Sequence, residues 1–155
     1  MKGDAEVIQV LNDVLCAELT AINQYFINAM VCESWRLTKL AKHMREESIG
    51  EMKHAEDVIE RILYLDGRPN MQKYMKVNVG STVPEMHQFD LDLERDAVVR
   101  LNQGIELCRA KGDNGSRLLL EKILAEEEQH IDWLEAQLTQ IQDMGLPNYL
   151  ANQAD

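Results

Sequence analysis

Four stretches of this chain repeat apolar residues every three or four positions, and acids break each stripe at one level. The first stripe is Leu11, Leu15, Ile22, Tyr25 and Ala29, with Glu18 on its line. The second is Leu37, Leu40, Met44, Val58, Ile62 and Leu65, and it takes in Glu51 and His54. The third is Val83, Ala97, Leu101, Ile105 and Cys108, with Glu94 falling between Asp90 and Ala97; the fourth is Leu120, Ile123, Leu134, Ile141 and Met144, with Glu127 and His130 inside it. Residues three and four apart share one face of an α-helix, so each stretch is an amphipathic helix with a polar step in its apolar face. A chain built this way must bury four stripes against one another and neutralise the acids it draws inside.

The ends of these helices are written locally. Asp4 is placed to cap the first, which fades near Glu33, and Asp66-Gly67-Arg68-Pro69 stops the second. Thr82 caps the third, with Glu85 in position to close a capping box and Pro84 in the first turn, where its missing N–H costs little. Lys111-Gly112-Asp113 ends that helix and caps the fourth, which stops at Gly145 ahead of Pro147. Tyr149 and Leu150 are open between a short fifth helix, the favoured reading, and a frayed terminus. Short links join the first helix to the second and the third to the fourth, predicting two antiparallel hairpins. The 17 positions from Gly67 to Val83 lack a period. Extended, they reach on the order of 55 Å, more than the ~42 Å of a 28-residue helix. The prediction is an all-α, four-helix bundle with one long crossover, residues 1–155 forming a single domain.

Spacing then ties the polar steps together. Glu51 follows Glu18 by 33 positions, and Glu127 follows Glu94 by the same 33. Each hairpin therefore presents one glutamate and one Glu-x-x-His at matching depth, and a pseudo-twofold bundle brings the six side chains face to face. Four carboxylates buried without compensation would take up protons rather than stay charged. Two divalent cations cancel them, and carboxylate oxygen with imidazole nitrogen suits iron or manganese better than any soft metal. Glu51 and Glu127 are placed to bridge two metals, with Glu18 and Glu94 terminal. Glu126 lies at i, i+4 from His130, but the stripe selects Glu127. Glu47 and Asp90 lie near the core line, where supporting the ligands and solvated placement at the bundle end are both open. Tyr25 is open between a hydrogen bond or electron to the site and plain core packing. His43 and His87 are expected to be exposed.

Composition narrows the partners. A net charge of −11 disfavours nucleic acid and anionic membranes and favours cations. No apolar run is long enough to span a bilayer. The three cysteines form no CxxC pair, as free thiols in a reducing cytoplasm would not.

The segments MKGD, NQYF, EMKHA, ERIL, EEEQHIDWLE and MGLPNYL, spread over essentially the full length, resemble the bacterioferritins, haem-containing members of the ferritin-like family. The resemblance implies a ferritin-like bundle with a short C-terminal fifth helix and a hollow shell of 24 subunits built from twofold dimers. It implies iron storage and detoxification, with ferroxidase activity at an intrasubunit di-iron centre. There Fe(II) is oxidised by dioxygen or hydrogen peroxide and ferric mineral is deposited in the shell, with a reductase partner for release. Glu18, Glu51, His54, Glu94, Glu127 and His130 fall on the family's ferroxidase ligands, and all six are present. Met52 falls on the ligand to haem b, shared between two subunits; by itself, a methionine turned about 100° from Glu51 reads as interface packing. Leu19, Asn23, Phe26 and Ile49 lie on compatible flanks, with Arg45 and Met71 as further contributors. The same ligand set also serves oxygen-activating oxidases and manganese catalases, and a scaffold or haem electron carrier is the reading from a different class.

Overall fold

The computed structural model describes residues 1–154. It contains α1 (Ala5–Ser34), α2 (Thr38–Tyr64), α3 (Val83–Ala110), α4 (Asn114–Met144) and α5 (Leu146–Gln153), with no strands among the described residues. α1 packs along α2 and α3 along α4, with narrower contact between α1 and α3 and between α2 and α4. The four long helices are the expected bundle of two hairpins, the segment 65–82 is the crossover, and α5 is the short fifth helix.

The caps follow the side chains that define them. Asp4 accepts from the N–H groups of Glu6 and Val7, Thr82 from Glu85 and Asp113 from Ser116, each satisfying amides that have no partner inside the helix. The return arm of the capping box differs in detail: the Glu85 carboxylate accepts from Ser81 N–H at 2.8 Å, one residue before the cap. α4 ends where Gly145 takes φ 81°, a left-handed backbone open to glycine at little cost. The crossover is tied to α1 rather than left loose. Asn70 N–H donates to Asn12 Oδ1, Met75 N–H to Thr20 Oγ1 and Asn78 N–H to Gln24 Oε1.

The apolar interior is split. One cluster holds Leu11, Leu15, Val58, Ile62, Leu101, Leu120 and Ile123, and the other Ala29, Cys32, Leu40, Met44, Val83, Met86 and Tyr149. Glu18, Glu51, His54, Glu94, Glu127 and His130 separate them by sequence position on every helix, with the first five of these buried and His130 half-buried.

α5 overturns one expectation. His87 is fully buried rather than exposed, because α5 folds back over the bundle end and Tyr149 supplies a partner: His87 Nε2 lies 3.0 Å from the Tyr149 hydroxyl, which donates to Gln137 at 2.7 Å. Burial, and then the charge of His43, push His87 down to about 4, so it is neutral at physiological pH. His43 is half-buried rather than exposed, stacked on the Trp133 ring with centroids 3.7 Å apart. Leu19, one of the residues on the flanks compatible with haem, is buried within the subunit.

Two glycines inside helices differ only in their surroundings. A Cβ on Gly50 meets nothing within 4 Å, whereas one on Gly104 would lie 2.8 Å from Val10 Cγ1 and 3.0 Å from Leu120 Cδ1. Gly104 thus lets α3 approach α1 and α4, while Gly50 only weakens its helix. Gly50→Ala is expected to stabilise the subunit by about 1 kcal/mol, and Gly104→Ala to destabilise it by about 1–3 kcal/mol. Thermal melts of both variants check this; shifts of the same sign would show that packing at Gly104 does not decide the outcome.

Candidate metal centre

Each of the four long helices contributes to one layer. α1 carries Glu18 and α3 carries Glu94, one carboxylate per helix, whereas α2 and α4 each carry a glutamate and a histidine one turn apart. The side chains arrange themselves around the two imidazoles. His54 Nδ1 lies 3.5 Å from Glu18, 3.5 Å from Glu51 and 3.1 Å from Glu127. His130 Nδ1 lies 3.1 Å from Glu51, 3.6 Å from Glu94 and 3.7 Å from Glu127. Glu51 and Glu127 each straddle both rings, and Glu18 and Glu94 each serve one.

Two overlapping groups result, Glu18, Glu51, His54 and Glu127, and Glu51, Glu94, Glu127 and His130; within each, one ligand atom per residue falls within 4.8 Å of the others. The shared members are the two glutamates that the sequence marks as bridging. All six residues also carry a buried side-chain atom with no hydrogen-bond partner: Glu18 Oε2, Glu51 Oε1, His54 Nδ1, Glu94 Oε2, Glu127 Oε1 and His130 Nδ1. Buried polar atoms are normally satisfied. Six such atoms facing one another across one layer form a donor set suited to cations.

The outer nitrogens show how the rings are held. His130 Nε2 is 2.5 Å from Glu47, whose other oxygen reaches His43 at 3.2 Å, and His54 Nε2 contacts Glu126. Each imidazole is gripped from behind by a carboxylate, which fixes the ring and turns Nδ1 inward. Glu47 resolves the open choice toward support of the layer. Glu126, off the apolar stripe of α4, stands against His54 of another helix. No spacing within α4 signals that contact. Tyr25 donates to Glu94 at 2.6 Å, so it hydrogen-bonds to the layer. Asp90 does neither thing expected of it: it is buried and held by Gln24 at 2.8 Å and Asn28 at 3.0 Å, and burial raises its carboxyl to about 7.

Electrostatics report the same strain. Burial raises Glu18 and raises Glu51 well above the usual carboxylate range, the latter helped by the charges of Glu18 and Glu127. Burial opposes charge on the imidazoles too, but Glu127 and its neighbours prevail, holding His54 far above its ordinary value and His130 up to about 12. Burial pushes Glu127 and Glu47 up, but the histidines win and hold each down to about 2. Protons thus do the neutralising in the metal-free layer.

A four-helix bundle with one end-to-end crossover, and with a glutamate or a Glu-x-x-His from each helix converging in its core, defines the ferritin-like class of carboxylate proteins. The Ferritin-like domain model matches residues 8–144. The chain is 52% identical over 151 residues to the bacterioferritin of Streptomyces coelicolor, covering 97% of this chain and 90% of that protein. It is 48% identical to the bacterioferritin of Mycobacterium leprae, covering 97% and 95%, and 42% identical to that of Brucella melitensis, covering 96% and 92%. The chain belongs to the ferritin-like family, as a member of its bacterioferritin branch. No helix among the described residues is long and apolar enough to cross a membrane.

Cations entering the layer must displace its protons. Anaerobic addition of Fe(II) to metal-free protein is expected to release at least about two protons per subunit, because the two charged imidazoles bind metal only when deprotonated. Protons compete with the cation more strongly as pH falls, so apparent affinity drops between pH 8 and pH 6. A pH-stat titration measures both, and uptake of Fe(II) without proton release would contradict the charge balance described.

Proposed function

We propose that the protein stores iron and oxidises Fe(II) to Fe(III) within each subunit, using Glu18, Glu51, His54, Glu94, Glu127 and His130 as the ligands of a di-iron centre. The observation that carries this reading is the convergence of six unpartnered buried ligand atoms in two groups sharing Glu51 and Glu127. Membership of the bacterioferritin branch supports the iron chemistry and the storage role. Iron here is the substrate. Glu18 with His54 takes one ion, Glu94 with His130 the other, and Glu51 and Glu127 span the pair. Their four negative charges match two divalent ions, and an oxidised ion leaves an excess of positive charge that favours its movement out as hydrated oxide.

Dioxygen or hydrogen peroxide accepts the electrons. Glu47 and Glu126 keep each imidazole aimed inward, and Tyr25 steadies Glu94 through its hydroxyl. Rapid oxidation in air following anaerobic binding of about two Fe(II) per subunit is the expected behaviour. Joint replacement Glu18→Ala and Glu127→Ala should abolish that fast phase, by stopped-flow absorbance; an unchanged initial rate would remove the assignment.

The reading extends to the assembly: a single ferritin-like domain per chain, twofold dimers closing into a cytoplasmic shell of 24 subunits around the mineral, and a reductase partner that releases the iron. Haem b would be held by Met52 of two facing subunits. Met52 is 54% exposed beside Phe26 and Ile49, themselves 48% and 46% exposed, so a soft thioether stands on an apolar face that fits a flat, largely apolar macrocycle. Arg45 borders this face, its guanidinium 5.9 Å from the Phe26 ring centre, while Met71 lies in the crossover beside Asn70. When bound, haem supplies one-electron transfer; the protein's part is to ligate and seat it. Met52→Leu, purified with haem available, should lose the bis-thioether haem spectrum while keeping Fe(II) oxidation, and an unaltered spectrum would refute the ligand.

A further inference from the structure

A second group of metal-ligating side chains lies away from the carboxylate layer and has a different chemistry. Cys32 of α1, Met44 of α2 and Met86 of α3 meet inside the second apolar cluster, with relative exposures of 0%, 1% and 0%. Cys32 Sγ is 3.7 Å from Met44 Sδ and 3.9 Å from Met86 Sδ. Three sulfurs around one ion, each about 2.3 Å away as in metal–thiolate bonds, stand about 4.0 Å from one another in a trigonal plane. Both edges from the thiol already approach that separation. Three separate helices, α1, α2 and α3, supply the ligands.

We propose that Cys32, Met44 and Met86 form a buried site for one Cu(I) ion, bound by a thiolate and two thioethers. The chemistry is a ligand exchange: the S–H bond of Cys32 breaks, the S–Cu bond forms, the proton passes to solvent and copper keeps its oxidation state. Soft sulfur ligands select Cu(I), whereas Fe(II) is drawn to the oxygen and nitrogen of the carboxylate layer. Charge favours the same choice. One thiolate and one monovalent cation make a neutral pair in an apolar pocket, while a divalent ion would leave a net buried charge. Burial, and then the Asp90 carboxyl, push the Cys32 thiol up to about 11, so the metal-free group stays protonated and the pocket stays neutral in that state as well.

The test uses intact assembled protein whose carboxylate layer has first been filled with Zn(II). Anaerobic titration with Cu(I), in competition with the chromogenic chelator bathocuproine disulfonate, is expected to show about one tightly held ion per subunit, and X-ray absorption at the copper edge a shell of sulfur alone at about 2.3 Å. Cys32→Ser should abolish that ion. Met86→Leu conserves volume and fold, and should weaken the site by at least about tenfold, the usual scale for damage to a metal environment. Cys108→Ser should leave it unchanged. Full Cu(I) retention in Cys32→Ser, undiminished affinity in Met86→Leu, or nitrogen and oxygen in the copper shell would each overturn the proposal. If Cys32→Ser does not assemble, the Met86→Leu affinity and the absorption spectrum decide alone.

Discussion

Everything distinctive about this bundle follows from placing four carboxylates and two imidazoles at one depth of an apolar core. Burial opposes charge on all six, and at close range they satisfy one another only by sharing protons: Glu18 and Glu51 are driven up, Glu127 is held low, and both histidines are held charged. The layer also divides the interior into two hydrophobic clusters, each of which must hold its half of the bundle in register without continuity through the middle. A site tolerated at such cost is organised for ligands that repay it. Divalent cations would do so, each replacing the charge of two protons.

The surroundings of the layer are arranged to keep it in place. Glu47 and Glu126 hold the rings from outside, and the buried Asp90 binds Gln24 and Asn28 on α1. Gln24 in turn receives Asn78 of the crossover, so one hydrogen-bonded chain joins α3, α1 and the connection between the hairpins. The link that sets the topology is thereby fastened to the helix that carries Glu18. At the far end α5 closes over His87 through Tyr149, sealing the second apolar cluster, in which the sulfur trio lies. Iron chemistry and the proposed copper chemistry are kept apart by ligand type within one bundle.

Much of this was legible from the chain because its signals are local or repeated. Caps at Asp4, Thr82 and Asp113 read correctly since each rests on a side chain bonding an amide two or three residues away. The six inward residues were legible from helical phase, and the equal spacing of Glu18 to Glu51 and Glu94 to Glu127 supplied the register between hairpins. His87 was misjudged because its burial depends on a short helix more than fifty residues later. Glu126 escaped because its partner, His54, is on a different helix, and phase within α4 says nothing about what stands opposite.

The sequence by itself determined that there are four amphipathic helices, where they end, how far the crossover reaches and which side chains enter the core, since period, capping and chain length act within a few turns. Only the tertiary structure decided that Glu47 and Glu126 brace the two imidazoles, and that Cys32 meets Met44 and Met86. Those contacts join residues from separate helices, and their distances are set by how closely the helices pack, a quantity that no local pattern encodes.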